Sequence, residues 1–259
     1  MTAQEIFDRL LSGSISILEP TCDKLIAGDP NKEVKRIGVC FKLTAELIQK
    51  AVEQNVDMII THEPTFSQGD KRKNAIHADL LKWKLLDESK LTVYRYHDHA
   101  HHREGDYIHA GFIKALELKI REKYPRESLG VCRYELEEPT TAKLLAEKIH
   151  QQLGIALIRI VGKEDHPVRT LGLGLGCVEA KQIGALFDPG CDLFIAGETG
   201  EVCDAELVRD ACIFGENKAL LLLGHYSSEC WGMKLLAEDL NSTYGNAVFL
   251  EGREVYRGI

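Results

Sequence analysis

The sequence predicts an α/β protein made of two similar α/β/α units with mainly parallel sheets. Short apolar runs of strand length alternate along the chain with longer segments whose apolar residues recur at helical spacing, which is typical of parallel strands covered by helices. The same alternation occurs in both halves of the chain. Its 259 residues are 44% hydrophobic and 28% charged, an ordinary globular composition that allows two sizeable cores.

The first half begins with Thr2-Ala3-Gln4-Glu5, a capping box in which a hydroxyl and a carboxylate satisfy backbone donors at a helix start. The later helices and strands are predicted from apolar residues at helical spacing and from runs rich in Val, Ile, Tyr and Phe. After the first short helix they are a strand at Arg36–Phe41, a helix at Thr44–Gln54, a strand at Asp57–Thr61, a helix at Ile76–Asp87, a strand at Leu91–Tyr96 and a helix at Tyr107–Leu116.

A polar stretch with a proline, Lys119–Arg133, separates the two halves. The second half is predicted to contain a helix at Thr141–Leu153, strands at Ala156–Val161 and Thr170–Gly176, a helix at Glu179–Phe187, a strand at Asp192–Ala196, a helix at Ala205–Ile213, a strand at Lys218–Leu223, a helix at Ser228–Leu240 and one or two strands around Val248 and Val255. We expect residues 1–125, completed by 224–259, to form the first unit and residues 126–223 to form the second.

Charge and hydropathy exclude several classes of partner. The formal net charge is −8, whereas general nucleic-acid and anionic-membrane binding need concentrated Lys and Arg. No apolar stretch approaches 18 residues, and the first residues lack the pattern of a targeting segment. We therefore expect a soluble cytoplasmic protein without a membrane partner. The eight cysteines include no Cys-x-x-Cys pair, so we expect reduced thiols.

Four of the ten histidines lie within six positions, 97–102. They belong to one of four polar clusters that directly follow apolar strand runs. The clusters are His62-Glu63-Pro64, His97-Asp98-His99-Ala100-His101-His102, Gly197-Glu198-Thr199 and Gly224-His225-Tyr226-Ser227-Ser228-Glu229. Ligands of parallel α/β sheets bind beyond the carboxyl ends of the strands. The sequence therefore predicts a functional site at the strand C-terminal ends, between the two units.

The residue types in these clusters point to metal binding, because His, Asp and Glu are the usual ligands of divalent ions. His225 and Glu229 are spaced i, i+4 and share a helix face if the helix begins early enough. Each cluster alone has an ordinary interpretation: a solvated turn at His62-Glu63, an exposed polar loop at 97–102, or a surface pair at His225 and Glu229. Their joint occurrence after strands favours a metal site.

In order and spacing, these motifs resemble the signatures of the Ngg-interacting factor three-like family, the dinuclear-metal-centre hexameric proteins often labelled GTP cyclohydrolase 1 type 2. The resemblance runs from about Cys22 to about Leu240, and its most specific element is Gly-His-Tyr-x-x-Glu at 224–229. It implies a ring-shaped homohexamer with two divalent ions per subunit. The identity of the ions stays open among zinc, iron, manganese, nickel and magnesium.

Carried over by position, the resemblance implies that six residues bind metal: His62, Glu63, His97, His101, His225 and Glu229. Glu63 stands where the family usually has a second His, and His101 stands where it usually has an Asp. Glu229 would be the bridging carboxylate. Asp98 and His99 are close enough in sequence to replace or supplement His101.

The activity implied by the resemblance is metal-dependent hydrolysis of a nucleotide or related heterocycle, with Glu63 or Glu198 moving the proton. The alternative is a non-catalytic metal-binding protein with a regulatory, storage or chaperone-like role. A mononuclear iron oxygenase built on two His and one carboxylate is a third alternative.

Overall fold

The computed structural model describes residues 1–69, 72–73, 75–188 and 190–256. The chain forms two compact units. One comprises residues 1–107 and 232–252, and the other comprises residues 108–231 and the segment that follows Gly252. Each unit contains one β-sheet with helices, so the predicted α/β class with two units is confirmed. Among the described residues, no helix is both long and apolar enough to span a membrane.

The first unit is built on a five-stranded sheet with the order β1-β4-β3-β2-β11. Its elements are α1 Ala3–Ser12, β1 Lys24–Ala27, β2 Ile37–Cys40, α2 Ala45–Glu53, β3 Met58–Thr61, α3 His77–Ser89, β4 Thr92–Arg95, α4 Asp98–His101 and β11 Ala247–Phe249. Strands β11, β2, β3 and β4 run parallel, and only the edge strand β1 is antiparallel to its neighbour. The carboxyl ends of β3 and β4 therefore lie side by side.

Local sequence explains these elements. The predicted capping box forms at the start of α1, where Thr2 Oγ1 accepts the Glu5 N–H and Glu5 Oε2 accepts the Thr2 N–H. All four residues of β2 and of β3 are buried, as expected for strands covered on both faces. Phe66 stacks on Trp83 with ring centroids 3.9 Å apart inside this core.

The second unit is built on a six-stranded sheet with the order β5-β6-β8-β9-β10-β7. Its elements are α5 Tyr107–Ala115, β5 Ile120–Lys123, β6 Cys132–Thr141, α6 Ala142–Leu153, β7 Arg159–Gly162, β8 Pro167–Cys177, α7 Ala180–Phe187, β9 Leu193–Glu198, α8 Glu206–Ile213 and β10 Ala219–Leu222. The helix α9, His225–Tyr244, contributes residues 225–231 to this unit and 232–244 to the first. The central strands β8, β9 and β10 are parallel, and the outer pairings are antiparallel.

The alternating glycines of β8 serve close packing. A side chain at Gly172 would collide with Leu186 and Phe194, and one at Gly174 would collide with Phe194. The ring of Phe194 thus occupies the space that these two glycines leave, and it belongs to the buried core of the second unit.

The structure differs from the sequence prediction in several details, including β1, where no strand was predicted. The polar stretch 119–133 contains β5 and the start of β6, in which Cys132, Tyr134 and Leu136 alternate with polar residues. This alternation is typical of an antiparallel strand with one exposed face, and a search for continuous apolar runs misses it. Helix α9 begins at His225 instead of Ser228. No strand forms at Val255, which is exposed.

Candidate metal centre

Three imidazoles converge at the ends of β3 and β4 in the first unit. His62 follows Thr61, the last residue of β3. His97 lies between β4 and α4, and His101 is the last residue of α4. The register pairs Thr61 with Arg95, so both segments leave the sheet at the same edge. One ring nitrogen from each histidine lies within 4.8 Å of the others, and the His62 and His97 ring centroids are 4.4 Å apart.

The Nδ1 atom of each of these histidines faces a hydrogen-bond acceptor. The acceptors are Tyr96 O at 3.1 Å from His62, Asp98 Oδ1 at 2.8 Å from His97 and Asp106 Oδ2 at 3.1 Å from His101. Because a carbonyl or carboxylate oxygen can only accept, Nδ1 carries the proton in all three rings. The neutral form of each ring then has its lone pair on Nε2, which is the usual state of a metal-binding histidine.

Glu63 lies beside this histidine cluster. Its Oε1 is 3.6 Å from His97 Nε2, and its side chain is mostly buried. Burial lowers the pKa of His97, and the adjacent His62 ring lowers it further. A lower pKa favours the neutral imidazole, which is the form that binds a metal ion.

Lysines hold the loop that carries His62 and Glu63. Lys42 Nζ donates to Pro64 O over 2.6 Å, and Lys82 Nζ donates to Thr65 O and to Leu43 O. These bonds satisfy backbone carbonyls that lie outside the helices and strands. They fix the position of the loop relative to α2 and α3.

His99 differs from its neighbours because both of its ring nitrogens are engaged. Nε2 accepts the Leu18 N–H over 3.0 Å, and Nδ1 donates to Asp23 Oδ2 over 2.8 Å. Asp23 also accepts the backbone N–H groups of His97, Asp98 and His99. Both side chains are essentially inaccessible to solvent. His99 and Asp23 therefore fix the start of α4, and this arrangement leaves His99 no lone pair for a metal.

We expect Asp23→Ala to lower the free energy of unfolding by about 3–5 kcal/mol, because it removes the buried carboxylate and leaves its hydrogen-bonded partners buried without an acceptor. Three backbone N–H groups and the His99 ring would lose their acceptor. Urea denaturation measures the loss. The matched control is Asp29→Ala, at an exposed position, which should change the unfolding free energy by less than about 1 kcal/mol. Equal losses in both variants would contradict the structural role of Asp23.

Asp98 orients His97. Its Oδ2 accepts from Thr21 Oγ1 and the Cys22 N–H, while its Oδ1 faces His97 Nδ1. The hydrogen bond from His97 is the main reason that the pKa of Asp98 lies well below its usual range. Cys22 Sγ lies 3.3 Å from the same carboxylate, and burial raises the pKa of this thiol to about 12. The ionised Asp98 thus holds the Nδ1–H form of His97.

A second group of polar side chains lies in the second unit at the start of α9. His225 and Glu229 are four residues apart on this helix, and His225 Nε2 is 3.2 Å from Glu229 Oε2. Glu198, the last residue of β9, contacts His225 Nδ1 through Oε1 at 2.8 Å. The side chain of Glu229 is 3% exposed, whereas that of Glu198 is 49% exposed. The imidazole therefore lies between a buried and a half-exposed carboxylate.

Gly176, near the end of β8, packs against this group. Its φ is +86°, and a Cβ at this position would collide with the Glu229 carboxylate and lie 3.1 Å from His225 Nε2. Its N–H donates to Ser228 Oγ over 3.0 Å, and that hydroxyl donates to His225 O. Gly176 is thus required both for its backbone conformation and for the space that it leaves.

The order of these motifs and the fold agree with a known family model. The model of Duf34/NIF3 (NGG1p interacting factor 3) matches residues 24–253. This range includes every residue described above in the two groups except Leu18, Thr21, Cys22 and Asp23. The chain belongs to the Duf34/NIF3 family. The resemblance inferred from the sequence motifs is confirmed.

Individual relatives support the family assignment. A GTP cyclohydrolase 1 type 2 homolog from Haemophilus influenzae is 26% identical over 215 residues, which cover 82% of each chain. Among solved structures, Staphylococcus aureus protein SA1388 has a TM-score of 0.80 at 17% identity and covers 100% of this chain and 99% of its own. A Bacillus cereus protein related to NIF3 has a TM-score of 0.78 at 16% identity, with the same coverage. These structural similarities show the Duf34/NIF3 fold.

Within each unit, the structure brings several of the residues singled out from the sequence into contact. His62, Glu63, His97 and His101 lie together in the first unit, as do Glu198, His225 and Glu229 in the second. Sequence reasoning missed Asp106, although it follows His101 by only five residues in a turn with Gly105. It also gave Asp23 and Gly176 no role in the metal site. The left-handed conformation of Gly176 is not visible in a run of alternating glycines.

Proposed function

We propose that this chain binds divalent metal ions, two per chain, and is a metal-dependent hydrolase that acts on a nucleotide or a related heterocycle. The observation that carries the proposal is the anchoring of three clustered imidazoles through Nδ1. This arrangement presents Nε2 of His62, His97 and His101 as ligands of a first ion, with Glu63 beside them. Asp98 and His99 then serve to position the cluster.

The donor set favours particular metals. Three imidazole nitrogens suit zinc, iron or nickel better than magnesium, which prefers oxygen ligands. We therefore expect the first ion to be one of these transition metals. Replacement of the family's usual Asp by His101 adds a nitrogen donor at this position, and Glu63 adds a carboxylate where the family usually has His.

The residues of the second unit also fit a cation. Because Glu198 accepts the proton on His225 Nδ1, the lone pair on Nε2 faces the Glu229 carboxylate at 3.2 Å. Two electron-rich atoms at this distance attract one another only through a shared cation, which is either a proton or a metal ion. We assign His225 and Glu229 to a second ion, and the absent side chain of Gly176 lets the Glu229 carboxylate take its position beside His225.

A bound divalent ion would lower the pKa of a coordinated water towards about 7 and polarise the bond to be cleaved. Glu198 keeps the His225 ring in one orientation. As its side chain is half exposed, we assign the same carboxylate to proton transfer with the substrate or solvent. Glu63 is the alternative proton carrier, because it lies beside His97 Nε2 at 3.6 Å.

Elemental analysis of the purified chain and a hydrolysis assay on a panel of nucleotides, nucleosides and free heterocyclic bases test this proposal. We expect about two equivalents of divalent metal per chain and turnover of at least one compound of the panel. Glu198→Gln keeps an oxygen that can accept from His225 Nδ1, so at saturating metal concentration it should reduce turnover by about 100-fold or more, in the range of general acid-base catalysis. Metal without turnover of any compound of the panel would favour a regulatory, storage or chaperone-like role, and absence of metal would contradict the proposal altogether.

We also propose the homohexamer that the family resemblance implies. Exposed apolar side chains on the second unit, including Val202, Ile213 and Phe214, are suited to burial between subunits. Light scattering of the purified protein should give six times the mass of the chain. A monomer at micromolar concentration would contradict this assembly.

A further inference from the structure

A cavity of about 850 Å³ opens in the second unit beside Glu198. Its wall is formed by the segment after α6, the end of β10, the first residues of α9 and the segment after Gly252. The side chains that matter most are Leu157, Arg159, Glu198, Tyr226, Glu254 and Tyr256. Its volume is in the range of sites for small molecules. Because Glu198 contacts His225 Nδ1, a ligand in this cavity would lie next to the proposed proton carrier.

The charges in the cavity disfavour phosphate. Glu198 and Glu254 both line it, while Arg159 pairs with Glu201 at 3.2 Å. Glu254 Oε1 accepts the Ser227 N–H in the first turn of α9 over 2.7 Å. A carboxylate of the protein thus already occupies the helix terminus that would otherwise attract an anion. A phosphorylated ligand would meet two carboxylates and an arginine whose charge is already compensated.

The remaining lining favours a flat ligand. Tyr226 and Tyr256 provide aromatic surfaces, and Leu157 adds an exposed apolar side chain. Aromatic side chains bind planar heterocycles by stacking, whatever the base. A carboxylate offers two acceptor oxygens side by side, which match a ring N–H and a neighbouring amino group.

We infer that this cavity binds an amino-substituted planar nitrogen heterocycle, as the free base or the nucleoside and without phosphate. Glu254 accepts hydrogen bonds from the ring N–H and the amino group, and the tyrosines stack on the ring. This inference rests on the proposed function, since it gives the substrate class for the same site. Of the nucleotides and related heterocycles that the proposed function allows, it selects the compounds without phosphate.

Calorimetric titration of the full chain, as purified, tests the inference with three probes: guanosine, inosine and GTP. Inosine lacks the exocyclic amino group, and GTP adds phosphates to the same base. We expect guanosine to bind about 10-fold more tightly than inosine, in line with the loss of one hydrogen bond to a charged acceptor, and at least about 10-fold more tightly than GTP.

Two variants locate the binding. Glu254→Gln keeps an oxygen that can accept the Ser227 N–H but removes the charge, and we expect guanosine to bind about 10-fold more weakly. Leu157→Trp fills the cavity from an exposed position and should abolish binding. Neither change should alter the metal content, which is measured on the same samples.

The outcomes separate this inference from the proposed function. Any of three results would overturn the inference, even in a protein that holds metal and hydrolyses nucleotides. These are undetectable guanosine binding, GTP binding as tight as guanosine binding, and equal guanosine affinity in wild type and both variants. Conversely, guanosine binding with the expected pattern in a protein that holds no metal would support the cavity and contradict the metal proposal.

Discussion

His62→Ala is expected to weaken metal binding by at least about 100-fold, which corresponds to about 2.7 kcal/mol. His62 is fully buried at the end of β3, and its ring contacts those of both His97 and His101. Its removal leaves the first ion with two imidazoles, because the nearby buried His99 has both ring nitrogens engaged and cannot replace it. Changes of the positioning groups around metal ligands typically cost 10–100-fold, and loss of a ligand should cost at least as much. Competition with a fluorescent zinc chelator measures the change.

His102→Ala is the matched control for this prediction. His102 belongs to the same histidine-rich segment, but its Nε2 faces Ser16 Oγ at 2.9 Å, and we assign it no metal. We expect the zinc affinity of the His102→Ala variant to stay within about 2-fold of wild type. Circular dichroism of both variants shows whether each is folded. Equal zinc affinity in folded His62→Ala and wild type would exclude His62 as a ligand.

Gly176→Ala is expected to lower the free energy of unfolding by about 2–4 kcal/mol and to reduce metal content as well. A left-handed conformation costs a residue with a side chain about 1–2 kcal/mol. The new methyl group must also displace the Glu229 carboxylate, which is buried and in contact with His225. Either shift moves the two residues that we assign to the second ion. Urea denaturation and elemental analysis of the same preparation measure both effects.

Gly184→Ala provides the comparison. Gly184 lies inside α7 without a positive φ, and a methyl group added there would meet no described heavy atom within 4 Å beyond its own helix backbone and chain neighbours. Alanine in a helix interior is more favourable than glycine by about 0.5–1 kcal/mol, so this variant should be slightly more stable and keep its metal. If Gly176→Ala had the same unfolding free energy and metal content as Gly184→Ala, the close contact between Gly176 and Glu229 would matter neither for stability nor for metal binding.

The sequence predicts the parallel part of the fold well because buried parallel strands are short, continuous apolar runs. β3 and β4 are of this kind, and each is soon followed by histidines. Parallel strands end at the same edge of a sheet, so His62 and His97 could be expected at one edge, and the sheet places β3 next to β4. Strand β6 was missed because an antiparallel strand with one exposed face has only alternate apolar residues.

The groups that position the ligands could not be predicted in the same way. Asp23 is more than seventy positions from the histidines that it holds, and no periodic pattern connects such distant residues. The role of Tyr96 depends on its carbonyl, which every residue type has. His225 and Glu229 share a helix face because α9 begins at His225, three residues before the predicted start at Ser228. With the predicted start, His225 would lie outside the helix. Helix boundaries are the least certain part of any such prediction.

The three Nδ1 hydrogen bonds of the histidine cluster have an entropic consequence. An imidazole that is free to rotate loses side-chain conformational entropy when it binds an ion. Here, a backbone carbonyl and two carboxylates already restrict the rings of His62, His97 and His101, so this loss occurs during folding. The cluster is preorganised, so most of its interaction with a metal ion would be available as affinity.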